Sequence, residues 1–248
     1  MIVEWEVTLD CNYTCEYCVH SRNSALPEPI AYEKDEDKLY TFIENLKKNY
    51  PDDELFIFGG EPFAHPKFAN IIDKLNEVGM KFIIQTNFSL PKRVETINEI
   101  VQVSVHPNEI RQKEKYISEL ARLEHLIRRI DVMYIGKPSL NYYQEIAKVF
   151  PRHKLKLVPV AGFKGVPVNK YLYEYNQLRE SVHSKFINFE ENDRSYNWEK
   201  QMKGEWTPKG KPCAYKNTYV LFDPQLRQYS CCYRENNDIC PNNHCFIM

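Results

Sequence analysis

Six short runs of apolar, β-branched or aromatic residues recur along the chain: Ile2 to Thr8, Leu55 to Phe58, Phe82 to Gln85, Val101 to Val105, Val132 to Ile135 and Leu155 to Val160. Each has the length and composition of a strand. Between them the apolar spacing lengthens to that of a helix. Phe68, Ile71, Ile72, Leu75 and Val78 fall at i, i+3, i+4, i+7 and i+10; Leu39, Phe42, Ile43 and Leu46 give a similar stripe before them, and Ile117, Leu120, Leu123, Ile127 and Ile130 one after. Tyr171, Tyr175, Leu178, Val182 and Phe186 form a last stripe. Each stripe covers one helix face. Strand followed by helix, six times over, predicts an α/β fold: parallel strands joined by right-handed crossovers and curled into a partial (βα)6, TIM-like barrel over residues 1–190, with active residues at the strands' carboxyl ends.

Alternation within the strands adds a prediction about the barrel's interior. Side chains along a strand point to opposite faces, and the face under the helices must be apolar. Val3, Trp5 and Val7 suit that outer face, which turns Glu4, Glu6 and Thr8 inward; Val101, Val103 and Val105 do the same for Gln102, Ser104 and His106. Gln85, Asn87 and Lys156 join them. An ordinary barrel of this class fills its centre with branched apolar chains, so a polar lumen points to a hydrophilic ligand. Glu6 and His106 are the candidates for substrate contact or proton transfer. The alternative is a strand whose polar face meets solvent.

Past residue 188 the texture turns polar, with Gly and Pro and little periodicity, which marks residues 191–212 as a linker. Residues 213–248 form a second small unit: Thr218 to Phe222 and Arg227 to Ser230 read as a hairpin turned by Asp223-Pro224. Lys+Arg 33 against Asp+Glu 34 leaves no broad basic field, which disfavours nucleic acid as a partner. A basic stretch near 200–216 keeps RNA modification as a minor reading. No signal-peptide pattern and no long apolar run occurs, so the expectation is a soluble, cytoplasmic protein without a membrane partner. In that reducing compartment grouped cysteines are metal ligands or reactive thiols rather than disulfides.

Three of the eight cysteines stand in CNYTCEYC, directly after the first strand. One helix face of small buried residues is the bland reading of Cys11, Cys15 and Cys18, and the turn residues Asp10, Asn12 and Thr14 speak against it. Zinc needs four ligands, with His20 as a conceivable fourth. A cubane iron-sulfur cluster on three thiolates leaves one iron open. With Tyr17 before the last cysteine, these residues match C-x3-C-x-aromatic-C and resemble the signature of the radical S-adenosylmethionine (SAM) superfamily. FGGEP, Phe58 to Pro62, ends the second predicted strand, where that superfamily carries its SAM-binding GGE motif.

The resemblance implies that Cys11, Cys15 and Cys18 hold a [4Fe-4S] cluster whose open iron is chelated by SAM. An electron from the reduced cluster then splits SAM to methionine and a 5′-deoxyadenosyl radical, which abstracts hydrogen from substrate. It further implies that Gly59 and Gly60 let the backbone approach SAM and that Glu61, or the backbone beside it, takes the methionyl ammonium. Tyr17 belongs to the same cofactor site, Asn87 and Ser104 contact the ribose or carboxylate, and Val160 lies against the adenine.

Five more cysteines, Cys213, Cys231, Cys232, Cys240 and Cys245, follow the linker. Around a hairpin they resemble the twitch form of the SPASM extension, which implies a second, auxiliary [4Fe-4S] cluster on Cys213, Cys231, Cys240 and Cys245. Cys232 is a substitute for Cys231 or a spare thiol, and structural zinc is the rival for the group. The expected activity is a net oxidation of a polar small molecule, fed by an electron donor such as flavodoxin or ferredoxin. Peptide modification by crosslinking or epimerisation is the alternative within the class, and a non-catalytic zinc-binding interaction module the alternative outside it.

Overall fold

The computed structural model describes residues 1–18, 31–160, 169–180 and 218–229. Its strands are β1 (Ile2–Thr8), β2 (Glu54–Gly59), β3 (Lys81–Thr86), β4 (Val101–Val105), β5 (Ile127–Tyr134), β6 (Leu155–Pro159), β7 (Tyr219–Phe222) and β8 (Gln228–Tyr229). The helices are α1 (Glu36–Asn49), α2 (Phe68–Glu77), α3 (Pro91–Ile97), α4 (Lys113–Arg122), α5 (Lys137–Ile146) and α6 (Asn169–Glu180). The strands form one sheet in the order β6-β5-β4-β3-β2-β1-β7-β8. From β1 to β6 each strand pairs in parallel with the one before it, as a partial (βα) barrel requires.

Burial explains the layering. Trp5, Ile57, Ile84, Val103, Ile130, Val132, Leu155 and Leu157 point to the helix side and are fully or almost fully buried. The helices answer with Leu39, Ile43 and Leu46 of α1, Phe68, Ile71, Ile72 and Leu75 of α2, and Tyr116 and Leu120 of α4. Asp35 caps α1 by accepting from the N–H groups of Asp37 and Lys38.

Two features differ from the sequence expectation. Ile127 and Ile130 belong to β5 and not to the end of the preceding helix, which stops at Arg122. Their three-residue spacing imitates a helix because the β4–β5 register slips between Val101 and Gln102: Val101 pairs with Ile127, but Gln102 pairs with Arg129. One extra residue in a strand returns both isoleucines to one face. The strand is therefore longer than Val132 to Ile135 and contributes Arg129 and Asp131 as well. The second difference concerns β7. It pairs antiparallel with β8, and it also lies parallel to β1, with Ile2 opposite Tyr219 and Trp5 opposite Phe222. Phe222 packs edge-on against Phe42 of α1 at 5.0 Å, so this strand shares the main core. The linker 191–212, Val182 and Phe186 lie outside the described residues.

Candidate functional site

The carboxyl ends of β1 and β2 are joined by backbone hydrogen bonds that run past the ladder. Gly60 N–H donates to Thr8 O at 2.7 Å and Glu61 N–H to Asp10 O at 2.8 Å, tying FGGEP to the start of the cysteine loop. This contact explains the glycines locally. A Cβ on Gly59 would lie 2.1 Å from Thr8 O, one on Gly60 2.2 Å from Asp10 O, and Gly59 has φ +140°.

Glu61 is completely buried. Its Oε1 accepts from Phe63 N–H at 3.1 Å and Thr86 O–H at 2.8 Å, and its Oε2 from Asn87 N–H at 2.7 Å. Burial pushes its carboxyl up to about 7, against the pull of these three donors. The side chain thus braces β2 to the end of β3, and its backbone grips the cysteine loop.

The loop itself is exposed at Cys11, buried at Cys15 and half-buried at Cys18. Cys11 Sγ accepts from Tyr13 N–H at 3.4 Å, Cys18 N–H donates to Cys15 O at 3.1 Å, and Thr14 N–H donates to Glu109 at 3.1 Å. Burial pushes Cys15 up to about 12, with the charges of Glu109 and the other two cysteines adding to it; Cys11 is raised for the same first reason. Cys15 is therefore held as the neutral thiol, and a bound metal would supply the positive charge that favours its thiolate. Among the described residues no three His, Cys, Asp or Glu side chains close around a single ion. Three soft thiols within one eight-residue loop suit an iron-sulfur cluster by donor chemistry.

The lumen side of the sheet carries polar residues beside the apolar Phe56, Phe58 and Ile83, and several of the expected ones meet there. Gln85 Nε2 donates to Ser104 Oγ at 2.5 Å, and Gln102 Nε2 to Asp131 at 2.7 Å. Asp131 also pairs with Arg129 at 2.5 Å and stands in register with Ser104 on one side and Lys156 on the other. Glu6 is buried, in register with Phe58, and Glu4 accepts from Tyr219 O–H at 2.6 Å. Arg129, Asp131 and Glu109 escaped the sequence reading. The alternation of Ile130, Val132 and Tyr134 was the available signal for the first two.

Two residues face elsewhere than expected. His106 turns its Nδ1 to Tyr17 Oη at 2.9 Å and Cys15 Sγ at 3.5 Å, its ring stacked on Tyr17. Burial lowers its pKa to about 4, so it is a neutral imidazole. Asn87 reaches toward Cys11 and Asn12. Val160 packs in an apolar cluster with Cys15, Tyr17 and Ile135. Cys213, Cys231, Cys232, Cys240, Cys245 and His20 lie outside the described residues.

The family model described as "Radical SAM superfamily" matches residues 5–157. A relative from Fibrobacter sp. (strain UWH6), an S-adenosylmethionine-dependent nucleotide dehydratase, is 23% identical over 261 residues, covering 100% of this chain and 75% of its own. A 7-carboxy-7-deazaguanine synthase from Aquifex aeolicus is 31% identical over 98 residues, 39% of this chain and 42% of that protein. The fold resembles Streptococcus suis SuiB bound to S-adenosylmethionine, with TM-score 0.62 and 15% identity over 93% of this chain and 60% of that one. This chain thus spans under two thirds of SuiB and of the Aquifex protein.

Proposed function

The chain belongs to the radical SAM superfamily, and from that premise we propose that it uses SAM at a cluster held by Cys11, Cys15 and Cys18 to take hydrogen from a polar small molecule. When bound, the reduced [4Fe-4S] cluster supplies the electron that splits SAM into methionine and a 5′-deoxyadenosyl radical. The chain's own residues bind, orient and exclude water. Gly59, Gly60 and Glu61 set the strand end against the thiol loop, Tyr17 and Val160 supply an apolar wall beside Cys15, and Ser104 offers a hydroxyl fixed by Gln85.

The observation that carries this reading is the pair of hydrogen bonds from Gly60 and Glu61 to Thr8 and Asp10. They bring the two sequence motifs, far apart in the chain, to one strand end.

The lumen supports a hydrophilic substrate, with Glu6 as the candidate for direct contact and His106 joining the lumen to the thiol loop. A net oxidation assisted by a second cluster is the reaction we infer. The name of the Fibrobacter relative adds nucleotides to the compounds worth testing, and dehydration to the outcomes. We assign the second cluster to Cys213, Cys231, Cys240 and Cys245 in residues 213–248, with Cys232 as the spare, on their sequence pattern. No helix among the described residues is long and apolar enough to cross a membrane.

Anaerobic reconstitution with iron and sulfide tests the reading. Release of 5′-deoxyadenosine under dithionite, with about eight irons per chain, is the expected result. About four irons and one zinc would confine iron to the first site. A colourless chain that neither binds nor cleaves SAM would sink the proposal and favour a zinc-binding module.

A further inference from the structure

The side-chain amide of Asn87 is held by an unusual number of partners. Its Oδ1 accepts from Ser89 N–H at 2.9 Å and from Ser89 O–H at 2.5 Å. Both oxygen lone pairs are thereby used, so the NH2 end must face the other way. There Nδ2 stands 3.1 Å from Asn12 Oδ1 and 3.7 Å from Cys11 Sγ, within the longer reach of a bond to sulfur. Asn12 closes the ring by donating its own amide to Ser89 Oγ at 2.7 Å. The backbone is fixed as firmly. Asn87 N–H is taken by Glu61, Asn87 O by Tyr116 O–H at 3.1 Å, and Phe88 is held at φ +59° with its N–H on Thr86 Oγ1 at 2.9 Å. A bulky residue in the left-handed region persists only where its surroundings over-determine it, and such strain gathers at functional sites.

We propose that Asn87 is a positioning residue for electron uptake: its amide N–H is aimed at Cys11 Sγ and raises the reduction potential of the cluster that this cysteine helps to hold. The inference rests on the functional reading above and departs from the expectation that Asn87 binds SAM. The reduced cluster carries additional negative charge spread over its sulfurs. A donor to one of them stabilises that state, because hydrogen bonds to ligand sulfur set cluster potentials. The Tyr13 backbone N–H is a second donor to the same sulfur, and side-chain substitution leaves it in place.

The test is a redox titration, followed by electron paramagnetic resonance, of the reconstituted full chain, using the signal that changes when SAM is added so that any auxiliary cluster is read separately. Asn87→Asp keeps the shape and replaces the donor with an acceptor; Asn87→Ala removes the donor without adding charge. Both are expected to lower the ratio of reduced to oxidised cluster at fixed poise about tenfold, a midpoint fall of about 59 mV for a one-electron couple. Ser89→Ala removes the hydroxyl that donates to Oδ1 and accepts from Asn12, leaves the residue-89 N–H on Oδ1, and so loosens the amide and gives a smaller fall of the same sign. Should the Asn87 variants fail to load iron, the Ser89 variant decides alone. A loaded parent whose loaded variants keep its midpoint overturns this inference and leaves the functional reading standing. A parent that takes up no iron overturns both.

Discussion

Gly60 and Asp10 approach so closely that a methyl group on the glycine would lie 2.2 Å from the Asp10 carbonyl oxygen. The obstacle is backbone, which cannot swing aside as a side chain does. Gly60→Ala must therefore push the cysteine loop off the end of β2, at a cost of about 1–3 kcal/mol typical of overpacking. The expected result is a lower melting temperature together with weaker iron uptake. Gly79→Ala is the control: it has positive φ but nothing within 4 Å of the added carbon, so it costs stability and leaves iron uptake intact. Equal iron uptake in both variants would separate the glycine contact from the cluster site.

Glu61 gives a pH signature. Its carboxyl sits near 7 in the folded chain against an ordinary value of 4.5, with burial as the leading cause. Between those values the native state binds more protons than the unfolded state, so this group's contribution is full below about 4.5 and is lost as pH rises through about 7. Glu61→Gln resembles the protonated acid and does not titrate. Unfolding midpoints measured from pH 5 to pH 8 should show the Gln variant gaining on the parent by about 1–3 kcal/mol, the scale of a poorly matched buried polar group. A parent that gains on the variant with rising pH would mean that the three donors outweigh burial.

What the sequence made legible follows from the range of each interaction. Alternation in Val101–Val105 and the stripe Phe68, Ile71, Ile72, Leu75 are local patterns, and they identified strand, helix and buried face together. The motifs were local as well, and parallel pairing of β1 with β2 was enough to bring their ends together. The bulge opposite Val101 was hidden because it is a property of two strands, and it disguised Ile127 and Ile130 as helical. Pairing of β7 with β1 spans almost the whole chain, and no local period encodes it. The aim of the Asn87 amide depends on a contact with Cys11, 76 positions away in the chain, which no local pattern encodes. β3 ends at Thr86, and beyond it the Asn87 amide reaches Asn12 and Cys11 of the thiol loop.

Phe88 yields a reversal of the usual ranking. Alanine ordinarily stabilises a chain relative to glycine, because glycine loses more freedom on folding. At φ +59° a Cβ is strained by roughly 1–2 kcal/mol. The ring is fully buried against Tyr116 at 6.0 Å, so either truncation costs about 3–5 kcal/mol of packing. Phe88→Gly should nevertheless be more stable than Phe88→Ala in denaturant melts. Should alanine prove the more stable, the left-handed turn is not imposed by its surroundings, and the rigidity of Asn87 loses its basis.

Glu6 and His106 should separate substrate chemistry from SAM cleavage. Glu6 lies buried on β1 on the face that carries Phe58 of β2, whereas His106 touches Cys15 and Tyr17. If Glu6 holds a polar group of the substrate, Glu6→Gln weakens a charge-assisted hydrogen bond worth about 1.5–3 kcal/mol, a loss of roughly tenfold to hundredfold in hydrogen transfer. Cleavage of SAM without substrate should stay within about twofold of the parent, because glutamine keeps the size and shape of the side chain on β1. His106→Ala should slow both steps, since it opens a gap beside Cys15 and removes the imidazole that both Tyr17 O–H and Cys15 Sγ touch. The measurement is 5′-deoxyadenosine against product, over a panel of nucleotides and other polar compounds under dithionite. Parent-level turnover and parent-level cleavage in both variants would remove Glu6 and His106 from the site and turn attention to the lumen's other polar groups, Gln85, Gln102, Ser104, Lys156 and the Arg129–Asp131 pair.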